Sequence, residues 1–220
     1  MKQIAKSLVV VGAMLAAGTV GAEMMDDVRP YVGLDYYQAW MKGAKATGSS
    51  PANSTFDFAK QAPKSYPGLA AYVGAKFTDF FGMELGTDWS FRKKKSITDN
   101  GSNIKTEVKR RGMHADLVGF FPLNDCVDIL GSVGLGWVKA KTTQTGASAA
   151  TAETYKNKGK TVARLGLGVS YMVTDMIGLR AKAGWENTRR LKLQDNTPPI
   201  DTFKPFKDTM SLSLGAFVRW

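Results

Sequence analysis

The chain has little of what builds most chemical sites: one cysteine, Cys126, and one histidine, His114, among 220 residues. A single cysteine closes no internal disulfide, which excludes a stapled secreted scaffold and leaves Cys126 as a turn residue. There is no metal-ligand cluster, phosphate loop or calcium motif, and no cofactor is implied. Long apolar runs are also missing after the N-terminus. The best, Ala115 to Leu123 and Val162 to Val173, are interrupted by Asp116 or Arg164 and by glycines. None approaches the roughly 20 residues of a membrane-spanning helix, so if the chain sits in a bilayer it does so as a closed barrel. Acids are scarce beside bases, 19 against 30, for a net charge of +11.

The N-terminus does carry a signal. Lys2 and Lys6 precede an uncharged run from Ser7 to Ala22 that closes on Val20, Gly21 and Ala22, and Glu23, Asp26 and Asp27 follow. A basic start, a short apolar stretch and small residues before the junction describe a secretory signal peptide over residues 1–22. The mature domain is then expected to span 23–220, and two lysines of the basic excess leave with the leader.

The mature chain contains eight segments that alternate with a period of two. They run at about Tyr31–Met41, Leu69–Thr78, Gly82–Phe91, Gly112–Phe121, Ile129–Ala140, Arg164–Val173, Leu179–Glu186 and Met210–Trp220. In each, one face is apolar: Leu34, Tyr36 and Trp40 in the first, Leu165, Leu167, Val169 and Tyr171 in the sixth, Leu212, Leu214, Ala216 and Val218 in the last. The other face is small or polar. Strands with one oily and one wet face in an even number suit an eight-stranded antiparallel up-and-down transmembrane β-barrel, an all-β fold. Short connections at Asp79–Phe81, Pro122–Val127 and Thr174–Ile177 alternate with long ones at Lys42–Pro67, Arg92–Arg111, Lys141–Lys160 and Asn187–Lys207. That asymmetry matches short periplasmic turns and long outer loops. Trp40, Trp89, Trp137, Trp185 and Trp220 fall near strand ends, where interfacial girdles sit.

The wet faces bear Asp35, Glu84, Asp88, Asp116 and Glu186 together with Lys76, Arg164, Arg180, Lys182 and Arg219. Eight strands enclose a lumen only wide enough for side chains. Charges held there must pair or keep water. The expectation is a salt-bridged plug, with a low-conductance ion path as the alternative. His114 lies two residues from Asp116 on the same inward face and is expected to join that network. Ser90 and Ser170 are conceivable nucleophiles, but nothing in the sequence brings either beside a base, so no enzyme is expected.

These segments resemble the outer-membrane protein A type of eight-stranded barrel. Gly82 to Trp89, with Glu84 and Asp88 at the family's spacing, is similar to its third strand, and further likenesses run through Tyr31–Trp40, Leu117–Trp137, Gly168–Trp185 and Met210–Trp220. The resemblance implies a bacterial outer-membrane protein acting as a structural element, adhesin, invasin or surface receptor, and at most a weak pore. It also implies that Trp220 is the terminal aromatic read by the outer-membrane assembly machinery. Two departures matter. The chain ends at Trp220 where many relatives continue into a peptidoglycan-binding domain, and Val118 and Ser170 stand where familiar members carry lumen charges.

The basic excess is unevenly placed. The four long segments with their flanking residues hold four, eight, five and five bases against one, two, one and three acids, while the short turns carry Asp79, Asp125, Asp128 and Asp175. The densest clusters are Arg92, Lys93, Lys94, Lys95 and Lys109, Arg110, Arg111. A basic rim draws polyanions over about 8 Å at physiological salt. Candidate partners are lipopolysaccharide phosphates in the chain's own membrane and a glycosaminoglycan or protein receptor on a host cell. Export argues against nucleic acid. The expected function of a monomeric barrel is surface interaction through its basic loops, most concretely host-cell adhesion or invasion, with a structural envelope role as the alternative.

Overall fold

The computed structural model describes residues 28–43, 64–99, 102–145, 153–156, 159–188, 193–194, 202–203 and 206–220, so the proposed signal peptide lies outside it. The strands are β1 (Arg29–Gly43), β2 (Ser65–Lys76), β3 (Phe81–Ser90), β4 (Lys93–Asp99), β5 (Ser102–Asn124), β6 (Val127–Thr145), β7 (Glu153–Lys156), β8 (Lys160–Met172), β9 (Ile177–Glu186), β10 (Leu193–Gln194), β11 (Thr202–Phe203) and β12 (Phe206–Arg219). Eight of them, β1, β2, β3, β5, β6, β8, β9 and β12, form a closed antiparallel ring in which each pairs with the next. The C-terminal strand closes it. Val32 lies opposite Val218, Tyr36 opposite Leu214 and Trp40 opposite Met210.

Side-chain parity fixes what each face meets. Leu117, Val133, Leu167 and Leu214 are exposed on the outside, as are Met83, Met113, Leu135, Leu165, Leu179 and Leu212. Val118, one residue from Leu117, is 2 % exposed. In water such a continuous apolar exterior would be a liability; in hydrocarbon it is the required surface. The outward residues of the last strand, Met210 to Trp220, span on the order of 25 Å once strand tilt is included, which matches the apolar band of an outer-membrane barrel.

The three short turns share one construction. Thr78 Oγ1 accepts hydrogen bonds from the N–H of Phe80 and Phe81, at 3.2 and 3.0 Å. Asn124 Oδ1 accepts from Cys126 and Val127 at 3.0 and 2.9 Å, and Thr174 Oγ1 from Met176 and Ile177 at 3.3 and 3.0 Å. Each turn therefore reads Thr or Asn, Asp, any residue, apolar residue. The first side chain ties the backbone locally. Cys126 is an exposed turn residue.

The long connections need a correction. The segment Arg92–Arg111 is largely sheet, not loop: β4 and the upper half of β5 form a hairpin rising from the barrel, with Lys93 opposite Val108 and Ser96 opposite Lys105. β6 likewise runs to Thr145 and pairs with β7. Between Trp89, opposite Arg111, and Lys93, opposite Val108, four steps on one strand meet three on the other. This bulge reverses which face β4 presents relative to β3. Above the lipid the outer face meets water in place of hydrocarbon, so the outward apolar alternation has no reason to persist, while Thr106 and Val108 on the inner face stay buried.

Candidate functional site: a filled lumen and a basic outer hairpin

The lumen is layered. At its periplasmic end the Tyr31 ring makes edge-on contacts with Tyr72, Phe120 and Phe217 at centroid distances of 6.2, 6.5 and 6.0 Å. Lys76 Nζ sits 4.6 Å from the Phe120 centroid and 3.5 Å from Asp128 Oδ2, so Asp128 belongs to the lumen wall as well as to the turn region. Above this, Arg180 binds two acids at once: Nη2 to Asp35 Oδ2 at 2.7 Å and Nη1 to Glu84 Oε1 at 2.6 Å. Tyr31 donates its hydroxyl to the same Glu84 oxygen at 3.0 Å, and the Arg180 guanidinium lies 3.6 Å over the Tyr72 ring.

The middle layer centres on Arg164. Its Nε is 3.5 Å from Asp116 Oδ1, and its Nη1 is 3.7 Å from Asp88 Oδ1 and 2.8 Å from Glu186 Oε1. Lys182 Nζ approaches Asp116 Oδ2 at 3.6 Å. His114 faces Asp88, with Nδ1 3.7 Å from Oδ1, and it is Asp88 rather than Asp116 that stands nearest to it. The top layer is Arg110, which binds Glu186 through Nη2 and donates to the Tyr66 hydroxyl at 2.7 Å. A buried ion pair is stabilising only when its remaining valences are also met. Here the guanidiniums of Arg110, Arg164 and Arg180 each engage two or more partners, while Arg110 Nε, Arg180 Nε and one oxygen each of Asp35, Asp88 and Asp116 find no hydrogen-bond partner among the described residues.

Room for these side chains comes from glycine on the adjacent strand. A methyl group at Gly215 would collide with Asp35, at Gly134 with Asp116, and at Gly33 with the Tyr72 ring. A cavity of about 70 Å³ between the layers is lined by Asp35, Tyr72, Asp88, Arg164 and Lys182. It has space for on the order of five waters by the volume one water needs. Above the charges the lumen turns apolar: Met41, Val108, Val138, Ala140 and Val162 pack with Tyr37 and Tyr66 into one buried cluster. The interior is thus an ion-pair network around a small polar-lined cavity, with an aromatic constriction below and aliphatic side chains above.

The eleven residues expected in the lumen divide as follows. Asp35, Lys76, Glu84, Asp88, His114, Asp116, Arg164, Arg180, Lys182 and Glu186 meet there in the layers just described. Arg219 lines the periplasmic mouth of the same lumen with Lys76 and Phe217, and its Nε donates to the Asp175 carbonyl at 3.0 Å. Ser90, a conceivable nucleophile, exchanges hydrogen bonds with the Arg110 backbone at 3.1 and 2.7 Å. Ser170 is buried in the wall of the lower lumen. Neither hydroxyl is beside His114.

The seven bases expected on the outer side, in two clusters, are split by parity. Arg110 is the clear correction: it is 5 % exposed and points inward, because β5 alternates and 110 shares parity with Gly112, His114 and Asp116. Lys109 and Arg111 point outward, on the parity of Met113 and Leu117. On β4, Lys94 pairs with Glu107 on the outward side, while Lys93 and Lys95 fall on the side of Val108 and Thr106. Lys93 Nζ reaches Ser65 Oγ at 3.1 Å, and Arg92 Nε pairs with Glu107 at 3.0 Å. Trp220 is exposed at the periplasmic end, its N–H donating to the Pro30 carbonyl at 3.2 Å.

Comparison with known proteins agrees with this geometry. The family model of the outer membrane protein beta-barrel domain matches residues 8–215. Among solved structures, the attachment invasion locus protein Ail of Yersinia pestis is 16 % identical, with 88 % of this chain and 99 % of that one covered and a TM-score of 0.52. Ail has also been solved with the heparin analogue sucrose octasulfate. Neisserial surface protein A is 16 % identical over 87 % and 97 % of the two chains, TM-score 0.55. OprG of Pseudomonas aeruginosa is 12 % identical over 88 % and 96 %, TM-score 0.59. At these identities the likeness is one of fold. No curated protein matches in sequence.

Proposed function

The chain belongs to the outer-membrane protein β-barrel domain family and resides in the bacterial outer membrane, and from that premise we propose that it is an adhesin, which attaches its cell to host surfaces through the bases of the β4–β5 hairpin. The observation that carries this is the division of labour in the molecule. The lumen is packed with paired charges around a cavity of about 70 Å³ and flanked by aromatic and aliphatic side chains, whereas Arg92 and the β4 residues Lys93 to Lys95 lie on the hairpin raised beyond the lipid belt. The partner class is a sulfated glycosaminoglycan. A sheet edge rich in lysine offers several ammonium groups to closely spaced sulfates, and the similarly folded Ail accommodates a heparin analogue. Replacing Arg92, Lys93, Lys94 and Lys95 together by Gln is expected to weaken binding to host cells, most strongly at low salt, and heparinase treatment of those cells is expected to have the same effect. Unchanged binding in both arms contradicts the proposal.

The filled lumen favours, as the second function, a structural envelope protein over a pore. Export is proposed to proceed by cleavage after Ala22, and Trp220 to be read by the assembly machinery at the periplasmic face. A loop-deletion series scored for both attachment and envelope integrity separates adhesion from mechanical support.

A further inference from the structure

Beyond the β4 bases, a second basic feature lies on the lipid-facing side of the barrel. β5 and β6 leave the apolar belt at Met113 and Trp137, which are directly opposed, and Trp89 borders them on β3, opposite Arg111. The next outward residues on both strands are bases. Arg111 is opposite Lys139, and Lys109 is opposite Lys141. Directly opposed side chains start about 5 Å apart. Successive outward residues on one strand are roughly 7 Å apart. Four cations therefore share one small patch.

Among the described residues, none of the four has a carboxylate within ion-pair distance. Glu107, the next outward acid on β5, is engaged by Arg92 at 3.0 Å. Like charges directly opposed across a sheet repel, and here two such pairs stand in succession. The lumen of the same barrel shows the contrasting arrangement, with every arginine matched to an acid. An uncompensated ladder of this kind calls for an anion from outside the chain.

Its position specifies which anion. Tryptophans mark the membrane–water boundary. Trp137 is held there, with Lys139 Nζ 4.4 Å over its ring and Gly159, at φ 95°, packed close against the indole where any side chain would collide. The ladder starts one outward residue above this boundary and points away from the barrel axis. A ligand on it must lie beside the barrel at headgroup height, with apolar chains descending over Leu135, Leu117 and Val133, all exposed. A soluble glycan has no use for that apolar wall. We propose that Lys109, Arg111, Lys139 and Lys141 form a clamp for the phosphates of an outer-leaflet lipopolysaccharide molecule seated against β5 and β6.

The test uses the folded barrel in detergent and measures retention of diphosphorylated lipid A against enzymatically dephosphorylated lipid A by native mass spectrometry, with a heparin fragment as the soluble polyanion. The wild type is expected to retain the phosphorylated lipid about tenfold better than the dephosphorylated form, and the K109Q/R111Q/K139Q/K141Q variant to lose that preference. The R92Q/K93Q/K94Q/K95Q variant is expected to keep it, so failure of the adhesion proposal and failure of this one read out separately. Folding is checked by the gel shift of boiled against unboiled protein. As a second variant, K141E gives Lys109 an internal partner; it is expected to fold at least as stably as wild type and still bind phosphorylated lipid less. Equal retention by wild type and the ladder variants, no preference of the wild type for phosphorylated lipid, or a ladder whose loss reduces only heparin binding overturns the proposal.

Discussion

Arg110 and Arg111 are neighbours on one strand and have the same chemistry, yet the barrel treats them as opposites. Arg110 points into the lumen and is bound by Glu186 and Tyr66; Arg111 points toward the lipid boundary, opposite another base. The difference follows from period-two geometry alone. A charge sent inward enters a confined space and must be neutralised by the chain. A charge sent outward at headgroup height can be left for the surroundings to neutralise. Inside, charge serves stability; outside, it is left available for binding.

The largest predicted effect tests the inward half. Glu186→Gln leaves Arg110 and Arg164 without their closest acid, and removing one partner of a buried ion pair costs about 3–5 kcal/mol. Denaturant unfolding in lipid vesicles should show a loss of that order, and a loss below about 1 kcal/mol would mean the network is solvated rather than tightly paired. A smaller but clear effect is expected at Gly134→Ala, where the added methyl must displace Asp116. Crowding of this kind in a filled interior costs about 1–3 kcal/mol. In planar bilayers, the wild type is expected to show no stable conductance steps, since the Met41, Val108, Val138 and Val162 cluster offers ions no polar path; regular steps would place a channel where the lumen is drawn as closed. Deletion of Trp220 should lower the yield of inserted barrel in cells while leaving the unfolding midpoint of what does insert nearly unchanged. The least effect belongs to the exposed periplasmic pair Arg29 and Asp79, 3.4 Å apart and both more than half exposed. Arg29→Ala should change stability by no more than about 0.5 kcal/mol.

Much of this architecture was legible in the sequence because a barrel's two solvents write themselves into alternate positions. Leu165, Leu167 and Val169 against Arg164, Gly166 and Gly168 gave the faces of β8 without any further information. The members of the lumen network followed from the same parity, but their pairing did not. Whether Arg180 meets Asp35 and Glu84, 145 and 96 residues away in sequence, depends on the register of several strands at once, which no single segment encodes. Arg110 was misplaced for a related reason. Above the lipid boundary the outward residues become Lys109 and Arg111, polar like their neighbours, so the run of three bases looked like a loop although the parity of Met113 and Ala115 could have been carried upward through it. The β4 bulge hid the face of Lys94 in the same way. The turn pattern at Thr78, Asn124 and Thr174, each followed by Asp, was present in the sequence and needed only the three turns to be aligned with one another.

The central claim, that parity on β5 divides charge that holds the barrel from charge that serves its surroundings, is tested most directly by unfolding Arg110→Gln and Arg111→Gln side by side in lipid vesicles free of lipopolysaccharide. Arg110→Gln is predicted to lose about 3 kcal/mol or more, and Arg111→Gln to stay within about 0.5 kcal/mol of wild type or gain slightly from relieved repulsion against Lys139. Equal losses at the two positions would contradict the account.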